Sequence, residues 1–171
     1  MFELEKIGLD YCQSAPCHIL NEAELPLSPE ATWDLLASTA WPEWFVDFVA
    51  VSWLTPAPHG VGSRRKAVLK TAAAIERFVA WDRGQRLAFG LDAVSLPLVR
   101  AMMEDMRLSP TPSGGTRLSY YVFYTPNLVM RLLHPLIRAF YTRMFRQSIA
   151  NLQEYVKQLP VEVAKAEEKG L

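Results

Sequence analysis

The chain has 171 residues, half of them apolar and 21% charged, with 18 basic and 18 acidic side chains that cancel to a formal net charge of zero. That length suits one domain around one core, and the apolar content excludes a disordered chain. The charge balance argues against nucleic acid as a partner, because phosphate binding calls for a basic face, and no run of about 18 apolar residues is present to cross a bilayer.

The first residues, MFELEKIGLDYCQ, carry acids where a signal peptide needs a basic start and an apolar stretch, so a cytoplasmic location is expected. Residues 1–16 read as an irregular lead-in. Cys12 and Cys17 are expected to be free thiols in a reducing compartment. With no second pair they do not form a structural zinc site, and neither metal nor cofactor is expected. Residues 17–25, CHILNEAEL, contain no Gly or Pro and predict a first strand. Leu27-Ser28-Pro29-Glu30 predicts a helix start, with Ser28 as cap, Pro29 in the first turn and Glu30 at the positive end. Trp33, Leu35 and Leu36 give this short helix its apolar side, and a second short helix is predicted over 42–48.

From residue 49 short β-branched and aromatic segments alternate with turn signals. Strands are predicted near 49–54, 62–70, 73–81, 85–92, 98–109 and 115–125, with breaks at PAPHG, DRG and SPTPSGG. Such close spacing favours antiparallel hairpins over βαβ crossovers. A long helix is predicted over 128–159, about 30 residues or roughly 45 Å. Its apolar stripe reads Leu133, Ile137, Phe140, Met144, Ser148, Leu152, Tyr155 and Leu159, with Arg131, Arg138, Arg146, Gln153 and Lys157 opposite. Pro135 should divide it into a short first piece and a longer main piece, and the tail VEVAKAEEKGL should fray. The expectation is an α+β fold in which a curved antiparallel sheet of seven strands wraps the last helix, with two short helices between strands one and two. The whole chain, 1–171, forms one domain with its core at about 17–158.

Five segments carry a family resemblance. Leu27-Ser28-Pro29-Glu30-Ala31-Thr32-Trp33 is similar to an "AP-x-x-VW" helix start, and Trp41-Pro42-Glu43-Trp44 to a following "WP-x-W". Gly60-Val61-Gly62-Ser63 is similar to a "G-x-VG-T" turn. Glu76 to Asp82 with Gln85 to Phe89 is similar to an "E-x-V…P-x-RL-x-Y" hairpin, and Leu108-Ser109-Pro110 with Gly114 to Leu118 to "L-x-P…GGT-x-L". Together, in this order, they resemble the START-like (SRPBCC) superfamily in its polyketide cyclase/dehydratase branch. The resemblance implies the helix-grip fold and a hydrophobic ligand pocket between sheet and helix. It carries over no catalytic residue, since the superfamily shares no single catalytic set. The segments 91–97 and 128–138 depart from the pattern, near where the pocket mouth is expected.

Strand alternation nominates the pocket wall. In Val99-Arg-Ala-Met-Met-Glu-Asp-Met-Arg-Leu108, the residues Arg100, Met102, Glu104, Met106 and Leu108 share a face that suits the interior. Glu104, and with it Arg100, would then be a charged group in an apolar cavity, which needs a partner or a raised pKa. On the last strand Tyr120, Val122 and Tyr124 face inward with Leu118, and before them Leu87, Phe89 and Leu91. Phe140 and Met144 face them from the helix. Glu104, Arg100 and Tyr120 are the candidates for acid/base chemistry. Trp44 reads as a packing anchor, and the glycine turns lack phosphate-loop spacing. His18, His59 and His134 are scattered, with His59 and His134 expected at the surface and no His-x-x-x-His or Ser-His-Asp pattern.

Three functions follow. The chain binds a hydrophobic small molecule (lipid, polyketide-like or aromatic) as carrier or sensor. Alternatively it is a cyclase/dehydratase-type enzyme using that pocket, or a protein-interaction module with a filled core. Arg131, Arg138, Arg143 and Arg146 occur with His134 and no acid between 128 and 146, which suggests weak contact with an anionic membrane through Arg131 and Arg138, or else a solvated basic side.

Overall fold

The computed structural model describes residues 1–159, the side chain of Val129 excepted. In chain order the elements are β1 (Phe2–Glu3), α1 (Tyr11–Ser14), β2 (Cys17–Leu25), α2 (Pro29–Ala37), a 3-10 turn at Trp41–Glu43, β3 (Phe48–Trp53), β4 (Arg64–Leu69), β5 (Ala73–Asp82), β6 (Arg86–Val94), β7 (Val99–Pro110), β8 (Thr116–Pro126), α3 (Leu128–Leu132) and α4 (His134–Gln158). The tail expected to fray, 160–171, lies outside the described residues. Ser28 caps α2 as expected, its Oγ accepting from the Ala31 amide at 3.2 Å. The helix predicted over 42–48 shrinks to the single turn at Trp41–Glu43.

The main sheet runs β2-β8-β7-β6-β5-β4-β3, every neighbour antiparallel. Its inner face and α4 share one core: Phe145, Ile149, Leu152 and Val156 join Leu118, Tyr120 and Phe89 in a single apolar cluster. This is the helix-grip arrangement. Irregularities interrupt the register within β3–β4, β5–β6 and β7–β8. Extra residues of this kind bend a strand and increase its twist, which lets a sheet curl round a helix.

The predicted division of the last helix is present. Leu133 separates α3 from α4, and Pro135 occupies the first turn of α4. The buried arc of α4 is centred to one side of the expected stripe, which shares only its edge. It passes through Tyr141, Phe145, Ser148, Ile149, Leu152 and Val156, while Leu133 and Phe140 are exposed. Ser148 is buried and satisfied: its Oγ accepts from the Val46 amide at 3.0 Å and donates to Met144 O at 2.9 Å.

Residues 1–16 hold only β1 and α1 as regular elements, yet the segment is fixed to the sheet. β6 and β7 pair only between 86–90 and 103–107, and diverge beyond. The N-terminus enters that gap: β1 pairs with the end of β6, Leu4 N donates to Asp92 O and Glu5 N to Arg100 O, both at 2.9 Å. The chain then crosses the outer face, where Tyr11 packs on Ala101, Met103 and Phe123. Its hydroxyl lies 2.8 Å from Thr125 Oγ1. Beneath it the fully buried Asp105 accepts from Arg86 and Arg107 at 2.7–2.9 Å. A sequence scan misses this second, smaller core because its residues lie about 90 apart in the chain, as Tyr11 and Ala101 do.

Two glycines separate close packing from mere turn chemistry. A Cβ on Gly115 would sit 2.4 Å from the Leu25 carbonyl oxygen, whereas one on Gly60 would meet nothing within 4 Å. Gly115→Ala is therefore expected to lower unfolding free energy by roughly 1–3 kcal/mol, and Gly60→Ala to stay within about 0.5 kcal/mol of wild type. Urea denaturation of both variants checks the pair.

Candidate functional site

The inner face of the sheet and the last two helices do not close completely. An apolar cavity of about 130 Å³ remains between them. Its wall combines Leu91 and Val94 of β6, Met102 of β7, Val122 of β8, Met130 of α3 and Met144 of α4, with further apolar groups from β2 to β5. An apolar void of about 150 Å³ holds benzene, so this one takes a single ring or a short chain segment.

Two carboxyl groups, Glu76 and Glu104, line the cavity and are both buried. Glu76 lies opposite Arg65 in the β4–β5 register, and Arg65 Nε donates to its Oε2. The guanidinium is fully buried, set 4.7–5.1 Å from the ring centroids of Trp41, Phe78 and Phe89, which solvate a cation through their π faces. Its Nη1 donates to Ser38 O at 3.4 Å, and Nη2 has no partner among the described residues. Among the described residues Glu104 forms no ion pair. It accepts a hydrogen bond from Tyr120 Oη, which lies on the neighbouring strand in the fully buried layer against Phe145.

Charge accounting then decides protonation. Burial first, and the nearby Glu76 charge second, push the Glu104 carboxyl up from 4.5 to about 8. Tyr120 and Arg65 oppose that shift and lose. Burial also raises Glu76, with Arg65 pulling it partway back. The Tyr120 hydroxyl is held well above its ordinary value by burial and by Glu104, so it stays a donor. At neutral pH Glu104 is mostly a carboxylic acid and can donate a hydrogen bond into the cavity.

The residues nominated from strand alternation separate into three groups. Leu91, Met102, Glu104, Val122, Tyr124 and Met144 line the cavity. Leu87, Phe89, Met106 and Tyr120 are fully buried in the solid core and do not line it. Arg100 and Phe140 lie elsewhere. The β7–β8 register shifts between Val99 and Ala101, so Val99 takes the inward position and Arg100 turns out to pair with Glu5 at 3.1 Å. Phe140 is 61% exposed, on the far side of α4 from the buried arc.

Arg65 and Glu76 escape a sequence reading because their meeting depends on the β4–β5 register. The available signal is that both alternate with apolar neighbours, Arg65 with Ala67 and Leu69, and Glu76 with Phe78 and Ala80. Both surface histidine expectations change. His59 stacks on Trp53 with ring centroids 3.7 Å apart. His134 Nε2 lies 3.0 Å from Tyr124 Oη and 3.7 Å from Cys17 Sγ, which pins the start of α4 to the sheet beside the cavity-lining Tyr124. Asn127 ties α3 to the 95–98 loop, its amide donating to Pro97 O and its Oδ1 accepting from Met130 N at 2.8 Å. Trp44 is buried within an aromatic cluster with Trp41 and Phe45, the anchor expected. Both cysteines are free thiols. Among the described residues no three His, Cys, Asp or Glu side chains cluster to hold a metal, and no helix is long and apolar enough to cross a membrane.

Comparison with known proteins places this geometry. A family model described as "Polyketide cyclase / dehydrase and lipid transport" matches residues 16–157. An uncharacterized protein of Mycobacterium tuberculosis is 33% identical over 122 residues, 70% of this chain and 72% of its own length. A START superfamily protein from Mycobacterium smegmatis superposes with a TM-score of 0.71 at 14% identity, covering 84% of this chain and 99% of that one. The Zhui aromatase/cyclase from Streptomyces superposes at 0.70 with 12% identity, covering 83% and 94%. At such identities the two structures show a shared fold.

The two carboxyl groups predict opposite mutational outcomes. Because the folded Glu104 keeps its proton above 4.5, the folded state binds more protons than the unfolded one between pH 4.5 and about 8. Stability should fall as pH rises through that window, at up to about 1.4 kcal/mol per pH unit, and level off above it. Glu104→Gln should flatten this fall and be more stable than wild type at pH 8. Glu76→Gln should cost roughly 3–5 kcal/mol by leaving Arg65 as an unpaired buried cation. Urea midpoints measured across pH 4.5–9 for the three proteins check both expectations.

Proposed function

The chain belongs to the polyketide cyclase/dehydrase and lipid transport family, and on that premise we propose that it binds a neutral lipophilic small molecule between the sheet and the last helix, as a carrier or sensor. The observation that supports this most is an apolar cavity lined by two carboxyl groups, one of them, Glu76, paired with the buried Arg65 behind it. The apolar wall favours a ring or chain segment through area removed from water. Arg65 lies behind Glu76 and does not line the cavity, so Glu104 is the protonated group that can meet the ligand. As an acid it donates to a carbonyl or hydroxyl oxygen. A carboxylate ligand would bring a third acidic group into the same low-dielectric space, which is strongly unfavourable. A ligand larger than one ring would extend toward the mouth, past Leu69, Leu96 and Met130.

One observation favours a second reading. An acid that keeps its proton at neutral pH inside a cavity can protonate a carbonyl oxygen as a bond forms beside it. That is the chemistry a cyclase- or dehydratase-type enzyme needs, with Glu104 as the acid and Tyr120 positioning it. For an enzyme, Glu104→Gln abolishes turnover of the true substrate while the fold persists. For a carrier, the same change leaves the bound compound exchangeable and alters only its affinity.

Acetophenone and benzoate are close in shape and differ in charge, and they test the binding reading. Titration followed by tryptophan fluorescence should show acetophenone binding and benzoate at least roughly tenfold weaker at pH 7. Met102→Trp should fill the cavity and abolish acetophenone binding with the fold retained. Mass spectrometry of organic extracts of the purified protein should find a neutral lipophile. Equal binding of both probes, indifferent to Met102→Trp, would contradict the proposal.

A further inference from the structure

The first turns of the last helices present an unusual outer surface. Leu128, Leu132, Leu133, Leu136 and Phe140 are each at least half exposed and lie within 13 residues of chain, residues 128–140. Leu136, Phe140 and Arg143 recur at i, i+4 and i+7, so they form one outward stripe. Arg131, Arg138, Arg143 and Arg146 are exposed around it, and none makes an ion pair among the described residues. From Asn127 to Gln153 the chain contains no acidic residue. A groove beside the patch is bordered by Arg131, His134 and Arg100, and no carboxylate lines it, although Arg100 itself is paired with Glu5. In a chain of zero net charge, this is a local concentration of positive charge around exposed apolar side chains.

We propose that this surface docks on an anionic lipid bilayer, with Leu132, Leu136 and Phe140 in the interfacial layer and the arginines against the headgroup phosphates. Apolar exposure calls for a cover, and the charge selects which. A second copy is disfavoured, because a two-fold interface sets the same patch against itself and would oppose arginine to arginine. An anionic bilayer satisfies both features at once. The surface lies on the back of the cavity wall: Met130, Tyr141 and Met144 face inward from the same two helices. Docking would therefore set the helices that wall the cavity at the membrane. The inference goes beyond the carrier reading and does not require it, since it concerns only the outer surface.

The test is cosedimentation of the full chain with vesicles of phosphatidylcholine, with and without about one-third phosphatidylglycerol. Partition onto the anionic vesicles should exceed that onto neutral ones roughly tenfold or more at about 50 mM salt, and fall several-fold at about 300 mM. Arg131→Gln with Arg138→Gln should lower it roughly tenfold, and Leu136→Ser with Phe140→Ser by a similar factor. These are surface changes, so melting temperature and acetophenone binding should not move. That separates a failure of docking from a failure of the cavity reading. Equal partition onto neutral vesicles, or variants that bind as wild type does, would overturn the proposal. So would a concentration-dependent dimer that Phe140→Ser dissolves in a protein that ignores vesicles.

Discussion

The interior is organised around one buried charge pair. Arg65 and Glu76 face each other across β4 and β5 with almost no solvent contact, in a shell of Trp41, Phe78 and Phe89. Placing a guanidinium there is costly, and a single carboxylate contact does not offset that cost alone. The aromatic faces and the Ser38 carbonyl supply the remainder. This arrangement in turn fixes the turn at Trp41–Glu43 against the sheet, because Trp41 must lie over the guanidinium while its own Nε1 donates to Leu36 O at 2.8 Å. Since Arg65 is the cation of this region and is already matched, a second carboxyl in the same space has to keep its proton. The protonation of Glu104 is thus a consequence of burial first and of the Glu76 charge second, and Tyr120 orients it.

The sheet is shaped to leave room beside that pair. Where β6 and β7 diverge, the N-terminal strand enters the gap, so the sheet can splay without leaving its backbone groups unpaired. The irregularity at Val99–Ala101 accompanies this divergence and sends Arg100 outward to the same N-terminal segment. One local insertion therefore does two things. It keeps a second cation out of the cavity, and it gives the lead-in segment an anchor.

Strand alternation located Met102, Glu104, Val122 and Tyr124 on the cavity wall because period-two geometry is local and survives wherever the ladder is regular. It failed at Arg100, where the ladder is not regular. The helical stripe failed at Phe140 because three- and four-residue steps admit neighbouring arcs, and the arc that packs is centred on Phe145, Ile149 and Leu152, well round the helix from Phe140. The Arg65–Glu76 pair depends on cross-strand register, and the Tyr11 cluster on contacts about 90 residues apart, so neither leaves a periodic trace. The order of strands and helices, by contrast, was readable from turn residues and spacing alone. The fold was therefore more legible than the site, because a fold is written in many repeated local choices and a site in a few distant ones.

The last helix divides its labour along its length. Its C-terminal half is held by Phe145, Ser148, Ile149, Leu152 and Val156, all buried, and Ser148 also ties it to the loop before β3. Its first turns and α3 are held by less: Met130 is buried, Tyr141 and Met144 are partly so, and polar contacts from His134 and Asn127 fix the ends. Local opening is cheapest where buried apolar contacts are fewest. A cavity of about 130 Å³ needs such a region if anything larger than one ring is to enter. The side of the molecule that can yield to a ligand is the side that carries exposed leucines and unpaired arginines. A surface that lowers the cost of exposing those leucines would also lower the cost of moving the wall behind them, because both belong to the same short helical segment.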